Sequence, residues 1–501
     1  MPQILRGSNP NIVREILAFR PYRTNRLTEP HRDAPAEAGS WAEIFTGRYG
    51  IYTFILNLGM FLFAINQFVV ATIMPSVVAD LGGVGYYTWA FSLFAVGAIV
   101  GASSAGTMRN SFGARRAYAG AGLLLSIGLV GSALATDMPT VVGWRLVQGI
   151  GGGAMASQAY GLIATIFPQR LRGRVLTVVS TIWGLATLGG PGYGAVFAEA
   201  GLWRGAFWSL APLTIVFAFL VWRFIEGEER RGGLSQLPYW RLALIALAVV
   251  LLSATSLTRE FWLQGVLVLA SIVMTAITFI RDARAEHNMF PRQVTAVASE
   301  LGAVYGIFFL VSVVMAFVNT YTTFYLQALH GVTPLTAGYL FAIQSFMWTF
   351  SALAVATLRP SLETASIVFG LVLLVLASIG IAVTVESGPV VLIAAFIGVS
   401  GAGIGFINNP AIQRIIAVAP ESEKQMAGMS VQAIRNIGVS FGAAASGMVA
   451  AAAGLIDGAD RATVAFAMEW VFGVSFLASA FALAFAIPLL VRRRGQNRRA
   501  A

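Results

Sequence analysis

Residues 141–161 read VVGWRLVQGIGGGAMASQAYG, apolar or small almost throughout, yet with Arg145 and Gln148 three positions apart. The length and apolarity of the run predict a helix that crosses a bilayer, because a hydrocarbon core of about 30 Å takes roughly 20 helical residues. A cation at the centre of such a helix costs about 2.5–3.5 kcal/mol on insertion scales, so it normally faces a cavity or a partner. Gln148 lies one turn away on the same face. The stretch therefore poses one question: what does the arginine do there?

The rest of the chain is of the same kind. Of its 501 residues 57% are hydrophobic and only 11% charged, with a mean hydropathy of +0.75, whereas soluble domains carry about 25% charged residues. Long apolar runs, rather than alternating ones, predict helices and not barrel strands. The chain has no cysteine, which excludes a disulfide framework, a thiolate metal site and a thiol nucleophile. The net charge of +11 resides mainly in arginines of the polar breaks and tails, where basic residues orient a membrane protein, so nucleic acid is not an expected partner. The first long apolar run begins near Ile51, too deep for a signal peptide.

Fourteen spans are expected, at 50–76, 87–108, 116–135, 139–166, 174–199, 204–224, 239–256, 261–280, 301–327, 336–357, 364–384, 389–412, 427–453 and 464–491. Basic residues mark cytosolic loops. Arg109, Arg115 and Arg116 follow the second span, Arg170, Arg172 and Arg174 the fourth, and Arg230, Arg231 and Arg241 the sixth. Arg281, Arg284, Arg292, Arg359, Arg414, Lys424 and the terminal VRRRGQNRR continue the series, while ATDMP, LHGVTP and VESGP on the other side are nearly bare. Both termini are therefore expected in the cytosol. Residues 1–49, arginine-rich with Pro10, Pro21, Pro30 and Pro35, read as a largely disordered tail, in which NIVREILAFR has the pattern of a short amphipathic helix. Residues 492–501 form a basic tail.

Several stretches set on this layout resemble the major facilitator superfamily, in particular its fourteen-span multidrug and toxic-compound exporters. AINQFVVATIMPSVVADLGG looks like that family's opening signature and is followed by Tyr87-Thr88-Trp89. RLVQGIGGG matches an Arg-x-x-Gln-Gly motif at Arg145, Gln148 and Gly149. GGPGYG matches the core of an exporter-type Gly-Pro motif at Gly190, Pro191 and Gly194, and GAGIGFINNP and RNIGVSFG resemble glycine-rich stretches of spans 12 and 13. The likeness runs from about residue 50 to residue 490. It implies an all-α integral membrane fold of two six-helix bundles, 50–224 and 301–491, with two extra central transmembrane helices in an insert at 225–300. It also implies a monomeric secondary transporter in the bacterial cytoplasmic membrane, exporting lipophilic or amphiphilic small molecules by alternating access, with proton antiport as the family expectation. Two places depart from the pattern. Asn66 stands where many relatives carry an aspartate, and GTMRNSFGARR keeps Gly106, Gly113, Arg115 and Arg116 but has Asn110 and Ser111 in place of a charged pair.

The polar groups inside the spans are the candidate transport residues. Arg145 and Arg435 are the two intramembrane cations, and no acid lies well inside any span; Asp80, Glu199 and Glu469 fall toward the outer ends and Glu300 toward the inner face. Arg145 is expected to donate to backbone carbonyls and neutral groups, and the resemblance implies a coupling role for it with Gln148 and Asn66. Gln67, Asn319, Tyr321, Tyr325, Gln344, Asn408 and Asn409 are the cavity candidates, in a pocket whose apolar walls and sparse polar groups suit amphiphiles. An alternative reading is an exporter of an anionic metabolite or siderophore-like compound, drawn by the field of Arg145 and Arg435. Pro410 is expected to loosen its helix, and Gly97, Gly101, Gly149 and Gly153 to allow close helix approach. QGIGGG lacks the preceding strand of a dinucleotide site. His31, His287 and His330 have no metal-ligand spacing, and no catalytic constellation appears, so neither an enzyme nor a cofactor is expected.

Overall fold

The computed structural model describes residues 40–227, 239–258, 260–285, 290–355, 362–420, 423–455, 457–487 and 489. The 1–39 part of the N-terminal tail, its amphipathic piece included, and the basic tail at 492–501 lie outside them. The described residues form fourteen α-helices: α1 (Gly47–Leu81), α2 (Trp89–Phe112), α3 (Ala114–Leu134), α4 (Met138–Ile166), α5 (Gln169–Glu199), α6 (Trp203–Phe224), α7 (Tyr239–Ala254), α8 (Phe261–Ala283), α9 (Glu300–His330), α10 (Pro334–Ala354), α11 (Glu363–Thr384), α12 (Val390–Val418), α13 (Lys424–Ala452) and α14 (Arg461–Ala484). Eleven of them are long and apolar enough to cross a membrane.

Side-chain caps set several starts. Asp137 accepts from Thr140 N at 2.7 Å, Ser299 from Gly302 N at 3.0 Å and Asp460 from Thr463 N at 2.9 Å, satisfying amides that a first turn leaves bare. Gly113, at φ +81°, ends α2 and starts α3 with no residue between, a backbone state that favours glycine. Upstream of the first apolar run, Glu43 in a short 3-10 turn (Ala42–Phe45) accepts from both terminal nitrogens of the Arg170 guanidinium, at 2.6 and 2.7 Å. Helix α12 runs on through Pro410 without a break.

The helices pack in a repeated pattern. In α1–α6 the close neighbours are α2 with α4, α3 with α4 and α6, and α1 with α5; in α9–α14 the equivalent neighbours are α10 with α12, α11 with α12 and α14, and α9 with α13. The halves meet through α2 against α13 and α5 against α10, the same pair of positions exchanged, as an axis of approximate two-fold symmetry requires. Helices α7 and α8 pack on each other, and α7 lies against α2 and α13. Ser253 Oγ on α7 is 3.1 Å from Ser92 Oγ, and Ser256 Oγ accepts from Trp89 Nε1 at 3.0 Å. The outward face of α8 carries Phe261, Trp262, Leu269 and Ile272, all exposed, the pattern of a helix facing lipid.

Contacts between the halves gather at one end. Asp457, between α13 and α14, accepts from the amides of Gly83 and Val84 at 2.9 and 2.8 Å. On the other side of the axis, Glu199 at the end of α5 accepts from Leu335 N at the start of α10, at 3.3 Å. Thr323 Oγ1 donates to Ala71 O at 2.7 Å, and Tyr87 stacks on Tyr321 at 5.5 Å. The ion pairs at the opposite end close within one half: Arg170 with Glu43, Arg48 with Glu226, and Arg414 with Glu300.

Candidate transport site

Four glycines bring α2 and α4 together. A Cβ on Gly97 would stand 2.9 Å from Ile150 N, one on Gly101 2.8 Å from Ala154 N, one on Gly149 2.9 Å from the Phe94 carbonyl carbon and one on Gly153 2.5 Å from Ala98 Cα. These are backbone atoms, so the two helices are in van der Waals contact along two turns, as small residues permit where lipid gives no hydrophobic drive. Gly401 and Gly405 do the same for α12 against α10.

This approach seals Arg145. Its side chain is 1% exposed; Nε donates to Ala90 O at 3.1 Å, Nη1 to Gln148 Oε1 at 2.7 Å, and the guanidinium lies over the Phe94 ring at 4.0 Å. Gln148 joins the rest. Its Oε1 also accepts from Asn66 Nδ2 at 3.2 Å, and its Nε2 donates to Gly128 O at 3.0 Å and Ser132 Oγ at 2.7 Å. One neutral network therefore ties α1, α2, α3 and α4 around a cation held by carbonyls, an amide and an aromatic face. Asn66 Oδ1 is buried without a partner.

Arg435 is placed differently. It is half-buried on α13, over the rings of Phe308 at 5.2 Å and Trp348 at 5.5 Å, and its Nη2 donates to Asn408 Oδ1. Asn408 Nδ2 donates in turn to Asn409 Oδ1 at 3.2 Å. Arg435, Asn408, Trp348, Phe308 and Ser312 line one pocket among α9, α10, α12 and α13.

The other candidates scatter. Gln344 is buried and donates to Ser400 Oγ at 3.1 Å, tying α10 to α12. Tyr321 is buried at the closed end against Tyr87 and Phe324 and belongs to the seal, Tyr325 is buried within the second half against Phe472 at 5.3 Å, and neither lines the pocket around Arg435. Asn319 and Gln67 are half-buried, and Asn319 Oδ1 is a buried acceptor without a donor. Gly190 and Gly194 seat α5 on Phe68, Val69 and Thr72 of α1, while Pro191 meets Gly338 of α10 across the axis. Gly106, Asn110 and Arg116 are exposed, and Arg115 Nε donates to Ile225 O at 2.7 Å, fastening α3 to the end of α6. Sequence reasoning passed over Asp457 and Leu335; the only signal for either is a place in a short loop or at a helix start.

The family model described as Major Facilitator Superfamily matches residues 56–443. A Mycobacterium tuberculosis protein named "Probable multidrug-efflux transporter" is 30% identical over 432 residues, covering 83% of this chain and 91% of its own. "Multidrug resistance protein 3" of Bacillus subtilis is 26% identical over 57% of this chain and 56% of its own. Among solved structures, an inward-facing bacterial homolog of the human lysosomal transporter Spinster covers 89% of this chain and 97% of its own with a TM-score of 0.63 at 14% identity, and a D-xylose-proton symporter covers 87% and 97% with 0.62 at 16%. With its repeated six-helix halves, glycine-zipped α2–α4 pair and buried Arg145–Gln148 network, the chain belongs to the major facilitator superfamily and is a multi-pass membrane transporter.

Proposed function

We propose that this transporter exports lipophilic or amphiphilic compounds by alternating access between α1–α6 and α9–α14, as a monomer, with all fourteen helices crossing and both termini in the cytosol. The observation that carries the reading is the single layer of contacts between the halves. Asp457, Glu199, Thr323 and the Tyr87–Tyr321 stack close one end, while the arginine-rich loops lie at the other. With basic loops cytosolic, this is an inward-open state, and export requires the layer to part. The drug-efflux names of the relatives support the direction.

Proton coupling by the family route, through a carboxylate at position 66, has no such group here, because Asn66 is neutral and its Nδ2 donates to Gln148 Oε1. Proteoliposomes with an imposed pH gradient, assayed with neutral, cationic and anionic amphiphiles, test the reading. Accumulation of unchanged compound in inside-out vesicles is expected; covalent conversion, or no movement of any class, overturns it.

A further inference from the structure

The pocket around Arg435 has a sign. Phe308, Ser312 and Met315 follow one another at four- and three-residue steps, one face of α9, and with Trp348 and Ile404 they make an apolar wall with a single cation in it. Among the described residues the ion pairs sit elsewhere, on Glu43, Asp80, Glu226, Asp282 and Glu300; Arg435 has an amide oxygen and two aromatic rings instead. Aromatic contact covers the faces of a guanidinium and leaves N–H donors along its edge, the edge that binds carboxylates and phosphates in pairs. All of the pocket's lining residues lie in the second half, on α9, α10, α12 and α13. Arg145 offers no such edge, since it is sealed and its donors already serve Ala90 and Gln148.

We propose that Arg435 is the anion-binding residue of the transport cavity, and that its substrates are amphiphilic organic acids. The carboxylate, sulfonate or phosphate head is held on the guanidinium edge beside Asn408, and the apolar body lies along Phe308, Met315 and Trp348. This rests on the exporter reading and adds the substrate class. A cationic amphiphile would meet an uncompensated positive charge in a low-dielectric cleft, which selects against it.

The test uses a dansylated fatty acid and its methyl ester, which differ only in the charged head. In inside-out phosphatidylcholine vesicles the full-length protein is expected to accumulate the acid with an affinity about tenfold or more above the ester, the effect of one charge-assisted paired contact. Arg435→Gln is expected to remove that preference, with an unchanged gel-filtration profile and melting temperature reporting a folded protein; Arg435→Lys, a point charge without the planar fork, is expected to restore part of it. Equal handling of acid and ester by the wild type, or a preference that survives Arg435→Gln, overturns the proposal while leaving the exporter reading intact. Failure of the wild type to move the acid also overturns the proposal, whereas failure with neutral, cationic and anionic amphiphiles alike overturns the exporter reading itself. Vesicles with added phosphatidylglycerol separate the two sources of such a head group. Acid that binds but is not accumulated, and is displaced by that lipid, shows a lipid site and overturns the substrate claim.

Discussion

Arg145 gives its guanidinium to neutral acceptors, and the consequences are local. Removing it takes one hydrogen bond each from Ala90 O and Gln148 Oε1 in a sealed site, at about 1.5–3 kcal/mol for a bond from a charged donor. Arg145→Ala is expected to lower the thermal stability of the purified protein together with its transport rate. Arg145→Lys is expected to recover little, because one ammonium cannot reach Ala90 O and Gln148 Oε1 in the geometry of the fork. Full transport by Arg145→Ala would make the residue a spectator. Asn66 gives a sharper case. Its Nδ2 donates to Gln148 Oε1, an oxygen already accepting from Arg145, so an aspartate at this position makes the same bond only when protonated. Burial also raises a carboxyl pKa. Asn66→Asp is therefore expected to give a protein whose transport or stability acquires a new pH dependence near neutrality, absent from the wild type; identical pH profiles for the two would show that the site is wetter than the network implies. The arginine and its glutamine partner were legible from residue types and spacing, and Asn66 in place of an acid as a departure from the family pattern that the sequence resembles. That Arg145 is sealed and Arg435 faces a pocket was not, because both are single cations in apolar helices and only the neighbouring helices distinguish them.

At the scale of helices, two devices can be tested. The α2–α4 contact depends on hydrogen in place of Cβ: Gly149→Ala puts a methyl against the Phe94 carbonyl and 3.0 Å from Ala98 N, and overpacking of this kind costs about 1–3 kcal/mol. Gly106→Ala, with open space around it, is the control expected to leave the melting temperature unchanged. The closed layer depends on two carboxylates related by the axis, Asp457 and Glu199, each accepting from amides at the start of an element in the opposite half. Asp457→Ala frees Gly83 N and Val84 N and is expected to let the layer part more often. The labelling rate of Thr88→Cys, 1% exposed in that layer, by an impermeant thiol reagent from outside should then rise about fivefold, the effect of ~1 kcal/mol; an unchanged rate would mean the latch does not limit opening. At the other end, the Arg170 guanidinium hydrogen-bonded to Glu43 holds its carboxyl below the usual range. Because the folded-state value is lowered, the pairing is complete at neutral pH and lost as pH falls through that lowered value. The difference in melting temperature between wild type and Glu43→Gln is expected to shrink on acidification.

For the molecule as a whole, the cysteine-free sequence makes topology accessible to single introduced thiols. Thr295→Cys, exposed near the arginine-rich loops, is expected to label only from the cytosol, and Ser387→Cys, exposed in the arginine-poor loop after α11, only from outside; the reverse would invert the orientation. Sequence alone determined the solvent and the helical class, because a bilayer demands about 20 apolar residues per crossing and satisfies the backbone only within a helix or a closed barrel. It also determined which glycines let backbones touch, since no other residue fits where a Cβ would strike a neighbouring chain. Tertiary structure decided what those helices enclose. Tyr321 sits in the seal, Asp457 and Glu199 hold the halves together, and the positive charge in the pocket comes from Arg435 and not from Arg145. Each of these depends on which helix from the other half, or which neighbour in the same half, lies opposite a given face. Apolar periodicity does not encode that, because in a membrane protein the outward face of a helix is as apolar as the face it packs.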